Sequence, residues 1–357
     1  MKTYNIAITG FHATCEPTAA QHIAHSLKTS SRFGNSKLIA LNYDINCGGN
    51  FNPTSIDEVY VLPSPFDNED RFYHALVNIL KKAKIDILIP TMDFELSLFP
   101  QFKERLLKEG VDVMIVLPQQ YYFHNKQKLY RFCESQKIPM PWTVEVINRY
   151  TIDYYSPYFI YPLLLKNSKG QEIFCCTLEE VYVFYRRLLR EPASTIYLQN
   201  TIGGEFYSAC LLFGKSSEIL GKIIVKRILV APNGETWGVL TVTAPPLQAV
   251  LDNLLFKLGI TYEGPLEIKF KRIIGTDIFY ITDLKTQFPT WVHLATKAGQ
   301  NLVETYLKFI LGESVEKLAP YQPGMMLIKS AYDQVSPTNN LGKLIMKGEM
   351  TYDKKAA

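Results

Sequence analysis

The side chains of this chain best suited to chemistry are lysines and carboxylates set at strand ends and along strands. Two β-type runs carry an acid and a lysine at alternate positions, Glu267-Ile268-Lys269 and Asp283-Leu284-Lys285. Side chains alternate faces along a strand, so Glu267 shares a face with Lys269, and Asp283 with Lys285. Lys126 opens a helical pattern, and Lys166 ends the apolar run Pro162-Leu163-Leu164-Leu165. A lysine in either place is a mobile point charge, solvated unless an anion meets it. Thr91-Met92-Asp93-Phe94-Glu95 sets two acids just past a strand end. They either bind a substrate amine, or Asp93 caps the helix that follows. The six histidines form no HExxH or triad-like signature, although His22 and His25 share a helical face. The six cysteines show no metal-ligand spacing and read as reduced thiols.

The elements that must position these groups fall into two textures. Over the first 118 residues, strand and helix patterns alternate: Tyr4–Thr9, Pro17–Lys28, Lys37–Asn42, Glu58–Leu62, Glu69–Lys84, Ile85–Pro90, Leu96–Lys108 and Val111–Leu117. Strands separated by helical patterns of about 10–15 residues predict crossover units and a parallel, Rossmann-like sheet. Ligands of such sheets sit at the carboxyl ends of the strands, here the polar loops Gly10–Pro17, Asn42–Asn52 and Pro90–Glu95. The first of these is not a GxGxxG loop, so neither NAD nor FAD is expected. Beyond Tyr121, helices are expected over Asn125–Gln136, Leu178–Leu189, Pro246–Leu258 and His293–Leu311. The β-rich runs Glu205–Phe213, Ile219–Val230, Trp237–Val242, Glu267–Arg272 and Ile278–Leu284 are separated by short turns, including Pro232-Asn233-Gly234, and predict antiparallel pairing. The tail beyond Leu318 has few periodic signals and reads as a loosely packed extension.

Bulk composition narrows the class. The chain has 357 residues, 47% of them hydrophobic, enough for two or three domains with a sizeable core. A net charge of +4 is too weak and too scattered for a nucleic-acid surface. No apolar run reaches the ~18–20 residues that span a bilayer, and the N-terminus reads as a strand rather than a leader. A cytoplasmic protein without membrane or nucleic-acid partners is expected.

Five segments, in order, carry a resemblance. Asp86–Leu96 is similar to a last strand and loop before a nucleotide-binding unit. Asn125-Lys126 followed by Ile138-Pro139 is similar to an Asp-Lys, helix, "gIPvP" segment. Pro162–Lys166 is similar to a "PvvvKP" strand, Gly203-Gly204-Glu205 to a "GxE" after a hinge, and Phe288-Pro289-Thr290-Trp291 to the end of an "ExNPRFPGW" segment. Together they resemble the ATP-grasp superfamily of carboxylate–amine ligases, in particular its carbamoyl phosphate synthase large-subunit-like branch, over nearly the whole chain to about Gly312. The resemblance implies an α/β and α+β fold: a Rossmann-like pre-ATP-grasp domain (1–118), then a two-subdomain ATP-grasp fold (119–195 small, 196–312 large) and a C-terminal extension (313–357). It implies ATP and magnesium, with Lys126 and Lys166 on the phosphates, the hinge Gln199-Asn200-Thr201-Ile202 on adenine, and Glu205 on the ribose hydroxyls. Lys226 and Arg227 would reach a phosphate or an acidic substrate, or else form a sheet-face ion pair. The implied reaction joins a small-molecule or peptide carboxylate to an amine through an acyl phosphate. A homodimer or a catalytic partner protein is the expected assembly.

Departures from the pattern gather at the phosphates. The phosphate-covering loop Asn167-Ser168-Lys169-Gly170-Gln171 keeps one glycine, where close approach of backbone N–H groups to phosphate calls for several. Lys269 stands at the first metal-ligand position, Lys285 at the asparagine of "ExNPR" and Gln287 at its arginine. Asp283 and Glu267 remain to hold a single magnesium ion with the phosphates. Alternatively, Lys269 and Lys285 pair with these acids and leave a metal-free site. A catalytically degenerate binding or regulatory protein is the alternative function.

Overall fold

The computed structural model describes residues 2–11, 18–116, 118–168, 171–190, 194–231, 236–259, 261–330 and 333–352. The N-terminal part contains β1 (Asn5–Thr9), α1 (Ala20–Lys28), β2 (Lys37–Asn42), β3 (Glu58–Val61), α2 (Glu69–Lys82), β4 (Ile87–Ile89), α3 (Glu95–Lys108) and β5 (Asp112–Val113). Its strands are apolar on both faces, as a parallel sheet covered by helices requires. They pair in parallel in the order β3-β2-β1-β4-β5, so strand order reverses between β1 and β4. The crevice at that reversal opens at the carboxyl ends of the two strands. The last strand is shorter than the predicted Val111–Leu117, with only Asp112–Val113 in the ladder.

Next come α4 (Lys126–Ser135), β6 (Thr143–Val146), α5 (Arg149–Tyr155), β7 (Leu163–Asn167), β8 (Glu172–Cys175), α6 (Leu178–Leu188) and β9 (Ile196–Asn200). The four strands form a small antiparallel sheet ordered β6-β9-β7-β8. Val144, Leu163, Leu165, Ile196 and Leu198 turn to one face and pack with Ile152 of α5 and Val181 and Leu188 of α6. By alternation, Lys166, Glu172, Gln199 and Thr143 occupy the opposite face. The expected unit 119–195 contributes to two cores: Phe123, Leu129, Cys133 and Ile138 pack away from this sheet, with α7 and the larger one.

The larger sheet is built from β10 (Glu205–Phe213), β11 (Ile219–Val230), β12 (Thr236–Thr241), α7 (Pro245–Leu258), β13 (Gly264–Arg272) and β14 (Phe279–Lys285), then α8 (Val292–Lys297), α9 (Leu302–Ile310) and β15 (Met326–Ile328). Its order is β14-β13-β10-β11-β12-β15, antiparallel throughout as the short turns predict. The turn at Pro232-Asn233-Gly234 lies outside the described residues. One face packs α4 and α7 through Tyr207, Ala209, Leu211, Leu251 and Leu254. Part of the other face shares a core with the N-terminal part, where Cys210, Ile223 and Val225 join Ile23, Leu27, Trp291 and Val303. The rest of that face is polar and lies opposite the small sheet.

Two expectations are corrected. The single helix predicted over His293–Leu311 is two, because Gly299 takes φ +96° and Asn301 caps a new helix by accepting from Glu304 N at 3.1 Å. The tail is not loose. After β15 joins β12, α10 (Thr338–Lys347) and β16 (Glu349–Thr351) return to the N-terminal sheet, where β16 pairs antiparallel with β3. Leu344 and Met350 are buried there, and Tyr352 N donates to Asp57 O at 3.0 Å. Truncation after Pro337 should therefore cost on the order of 3–6 kcal/mol for two buried side chains. A fall in the calorimetric melting midpoint checks it; an unchanged midpoint contradicts this docking.

Candidate functional site

At the crevice between β1 and β4, Glu95 is fully buried and saturated with donors. Its Oε2 accepts from Thr9 Oγ1 at 2.6 Å and from the Thr91 and Met92 amides at 2.9 Å each, and Tyr43 donates to Oε1. Burial lifts its carboxyl above the usual range, and these hydrogen bonds only partly restore it. Asp93 does not cap α3, whose first turn receives no side-chain cap. It is exposed and reaches across to the larger sheet, accepting from Lys285 Nζ at 2.9 Å and Gln287 Nε2 at 2.8 Å. The crevice of the N-terminal sheet thus opens onto the end of β14.

From the small sheet, Lys166 projects away from the apolar core and pairs with Glu172 Oε1 at 2.7 Å across the β7–β8 hairpin. The hairpin is pinned by Asn167, whose amide accepts from Gln171 N and donates to Gln171 Oε1, each at 2.9 Å. Lys169 and Gly170 lie outside the described residues. Gln199 is buried on the same face and donates to Thr143 Oγ1 at 2.8 Å. The Asn200 Oδ1 beside it is buried without a partner, and Ile202 O accepts from Lys271 Nζ at 2.7 Å. Gly204 follows at φ +155°, and a Cβ there would stand 2.1 Å from Arg272 O, so only glycine lets the chain turn into β10 at this point.

On the larger sheet, the register sets Lys269 beside Asp283 and Glu267 beside Lys285, all on the face toward the small sheet. Asp283 is the centre. It accepts from Lys126 Nζ at 2.8 Å and lies 3.9 Å from Lys269 Nζ. Burial alone would raise its carboxyl, but Lys126, Lys269 and Lys285 together hold it far below the carboxylate range. Burial likewise opposes the Lys285 ammonium, yet Asp93, Asp283 and Glu267 keep its pKa above the ordinary lysine value. Burial pushes the Lys269 ammonium down, and the pull of Glu267 and Asp283 does not restore it. Glu267 accepts from the buried Trp291 indole at 3.3 Å. Arg227, on the same face, donates to Thr236 Oγ1 at 2.7 Å, and its guanidinium lies 5.2 Å from the Phe206 ring centroid. Lys271 flanks the same ring at 4.4 Å.

The structure gathers Lys126, Lys166, Arg227, Glu267 and Asp283 about one cleft. Lys226 and Glu205 fall on the other face of the larger sheet by strand alternation, where they pair at 2.5 Å, with Arg272 2.9 Å from the second Glu205 oxygen. The sheet-face ion pair is therefore the arrangement adopted by Lys226, and adjacent positions on a strand explain why Arg227 does not join it. Sequence reasoning passed over Glu172 and Lys271. Glu172 had a signal, because a tight turn after Lys166 sets the two side by side; Lys271 had only its parity with Lys269.

No protein-family model matches the sequence, and no curated protein matches it. Solved structures do. The biotin carboxylase domain dimer of Hydrogenobacter thermophilus 2-oxoglutarate carboxylase, in complex with MgADP, ADP and bicarbonate, matches with a TM-score of 0.64 and 14% identity, over 91% of this chain and 73% of that one. N5-carboxyaminoimidazole synthetase from Staphylococcus aureus, complexed with ADP, matches at 0.59 and 14%, over 89% and 80%. L-amino acid ligase from Bacillus licheniformis matches at 0.61 and 14%, over 87% and 75%. The fold is an ATP-grasp fold.

The ATP-grasp resemblance implies magnesium, and the donor set can be tested for it. Magnesium takes oxygen ligands in near-octahedral geometry. Here Asp283 is already engaged by two ammonium groups, and Glu267 stands between Lys269 and Lys285 in the ladder. Among the described residues no three His, Cys, Asp or Glu side chains are grouped to hold a metal. A dication about 4 Å from one ammonium group is repelled by about 8 kcal/mol at an effective dielectric of 20. These residues do not fit a divalent cation. Among them, too, no helix is long and apolar enough to cross a membrane.

Because Asp283 balances two lysines, Asp283→Asn should cost about 3–5 kcal/mol by leaving buried cations unpaired. A carboxyl depressed on folding contributes stability that is complete above its unfolded value near pH ~4 and is lost as pH falls below it. Denaturation midpoints measured across acidic pH should fall steeply for the natural chain and less so for the variant; parallel profiles would contradict this.

Proposed function

We propose that the cleft binds ATP and that the chain is an ATP-dependent carboxylate–amine ligase acting through an acyl phosphate. The observation that carries this reading is that Lys126, at the start of α4, pairs with Asp283 on the larger sheet, while Lys166 of β7 pairs with Glu172, which lies in the field of Lys126 and Lys269 as well. Both are buried and both are held by carboxylates that a triphosphate can displace as partner. The ADP named with the Staphylococcus aureus and Hydrogenobacter thermophilus structures supports the same assignment. Adenine would lie along Gln199–Ile202, where Gln199 is buried on the cleft face. The ribose role of Glu205 would require release from Lys226 and Arg272 and a swing from the other face of the larger sheet at the start of β10.

In this reading a substrate carboxylate oxygen attacks the γ-phosphorus, the bond to the bridging oxygen breaks, and ADP leaves. The amine nitrogen then attacks the acyl carbon, phosphate leaves and the nitrogen gives up a proton. Lys126, Lys166 and Arg227 offset the charge on the transferring group. In this reading Arg227, on the cleft face, contacts it, and Lys226, on the other face, does not. The acceptor would enter from the crevice between β1 and β4, past Asp93. Segmentation near residues 118, 195 and 312, small-molecule or peptide substrates, a homodimer and a cytoplasmic location belong to the same proposal. The ammonium groups beside Asp283 favour a second reading, a nucleotide-binding protein without turnover that serves a catalytic partner.

Nucleotide binding measured by calorimetry should weaken roughly 10–100-fold in Lys126→Ala and in Lys166→Ala, as loss of a charge-assisted hydrogen bond predicts. ADP release that requires both a carboxylate and an amine supports the ligase; binding without ADP release across a broad panel leaves the second reading.

A further inference from the structure

The ammonium groups of Lys269 and Lys285 occupy the positions where the ATP-grasp pattern sets oxygen ligands, and both are anchored. Lys269 leans on Asp283 and Lys285 on Asp93, and the two strands that carry them are paired in register. Opposite them stand Lys126 and Lys166. The four surround two carboxylates: Asp283 lies within the field of Lys126, Lys269 and Lys285, and Glu172 within that of Lys166, Lys126 and Lys269. A separate observation points to a ligand. Ser208 is fully buried on the Lys269 face, directly opposite Lys269 in the ladder, and its hydroxyl has no partner. A buried hydroxyl left unsatisfied is costly, and a phosphate oxygen would accept from it.

We propose that Lys269 and Lys285 take the place of the divalent cations, so that the cleft binds a metal-free polyphosphate anion. The inference rests on the nucleotide reading above and specifies the form of the ligand. A free triphosphate presents all its oxygens to the four lysines, which exchange carboxylate partners for phosphate ones. A metal-chelated triphosphate carries fewer free oxygens and brings a dication against the same ammonium groups.

Calorimetric titration of the full chain with ATP and with inorganic tripolyphosphate, in excess EDTA and in excess magnesium, tests it. ATP binding in EDTA as tight as in magnesium, or tighter, is the expected result. Binding of ATP only in magnesium overturns the inference and leaves the nucleotide reading intact. Tripolyphosphate binding in EDTA without ATP binding keeps the metal-free site and overturns the nucleotide reading. No binding in any arm overturns both. Lys269→Glu with Lys285→Asn should weaken binding in EDTA by ~10-fold or more and make it magnesium-dependent, as exchange of charge-assisted partners requires. Lys269→Arg with Lys285→Arg keeps the charge and should keep metal-free binding. Unchanged EDTA binding in the Glu/Asn variant overturns the role of these two lysines.

Discussion

The ion pair of Asp283 with Lys126, 2.8 Å long and almost wholly buried, is the contact on which the arrangement of the cleft depends. It ties the start of α4 to β14, while Leu129 and Cys133 of the same helix bury themselves against the far face of that sheet. The helix is thereby fixed at both its charged end and its apolar stripe. A buried carboxylate is tolerated only when it is paired, and this one has three ammonium groups within its field. Its charge in turn makes it possible for Lys269 to remain in a position where burial disfavours an ammonium group.

Around that centre each layer does a separate task. The small sheet buries one face against α5 and α6, which leaves the alternate residues, Lys166 and Glu172 among them, facing the cleft. The larger sheet divides its second face between an apolar part, sealed by α1, α8 and α9, and a polar part left for the cleft. Trp291 stands at the border: its ring belongs to the core and its N–H reaches Glu267. The N-terminal sheet contributes its point of strand reversal, and Asp93 carries that crevice to Lys285. The docked tail follows from the same demand on edges. β16 covers the edge of β3 and β15 that of β12, so the tail closes strands that would otherwise expose unpaired backbone.

Much of this was legible in the residues. Alternation put Glu267 with Lys269 and Asp283 with Lys285, and the ladder agrees. The parallel N-terminal sheet and the antiparallel larger one followed from the lengths of the connections. Where reading failed, the cause was pairing between distant segments. Asp93 carried two local explanations, a helix cap or a substrate contact, and neither anticipates a partner 192 residues away. Lys226 and Arg227 were adjacent and alike in type, and only the direction of each side chain from the sheet separated them.

The sequence by itself determined periodicity, the faces of strands, and the residue types at the centre: a surplus of ammonium groups where oxygen donors would be expected. Those are local properties, set by backbone geometry and side-chain chemistry. The tertiary structure decided which charges neutralise which, because pairing depends on distances between elements and on the burial that raises or lowers each group. It assigned Lys126 to Asp283, Lys285 to Asp93 and Glu205 to Lys226 and Arg272. Coulomb energy falls with distance and grows with burial, and neither quantity exists until the chain is packed.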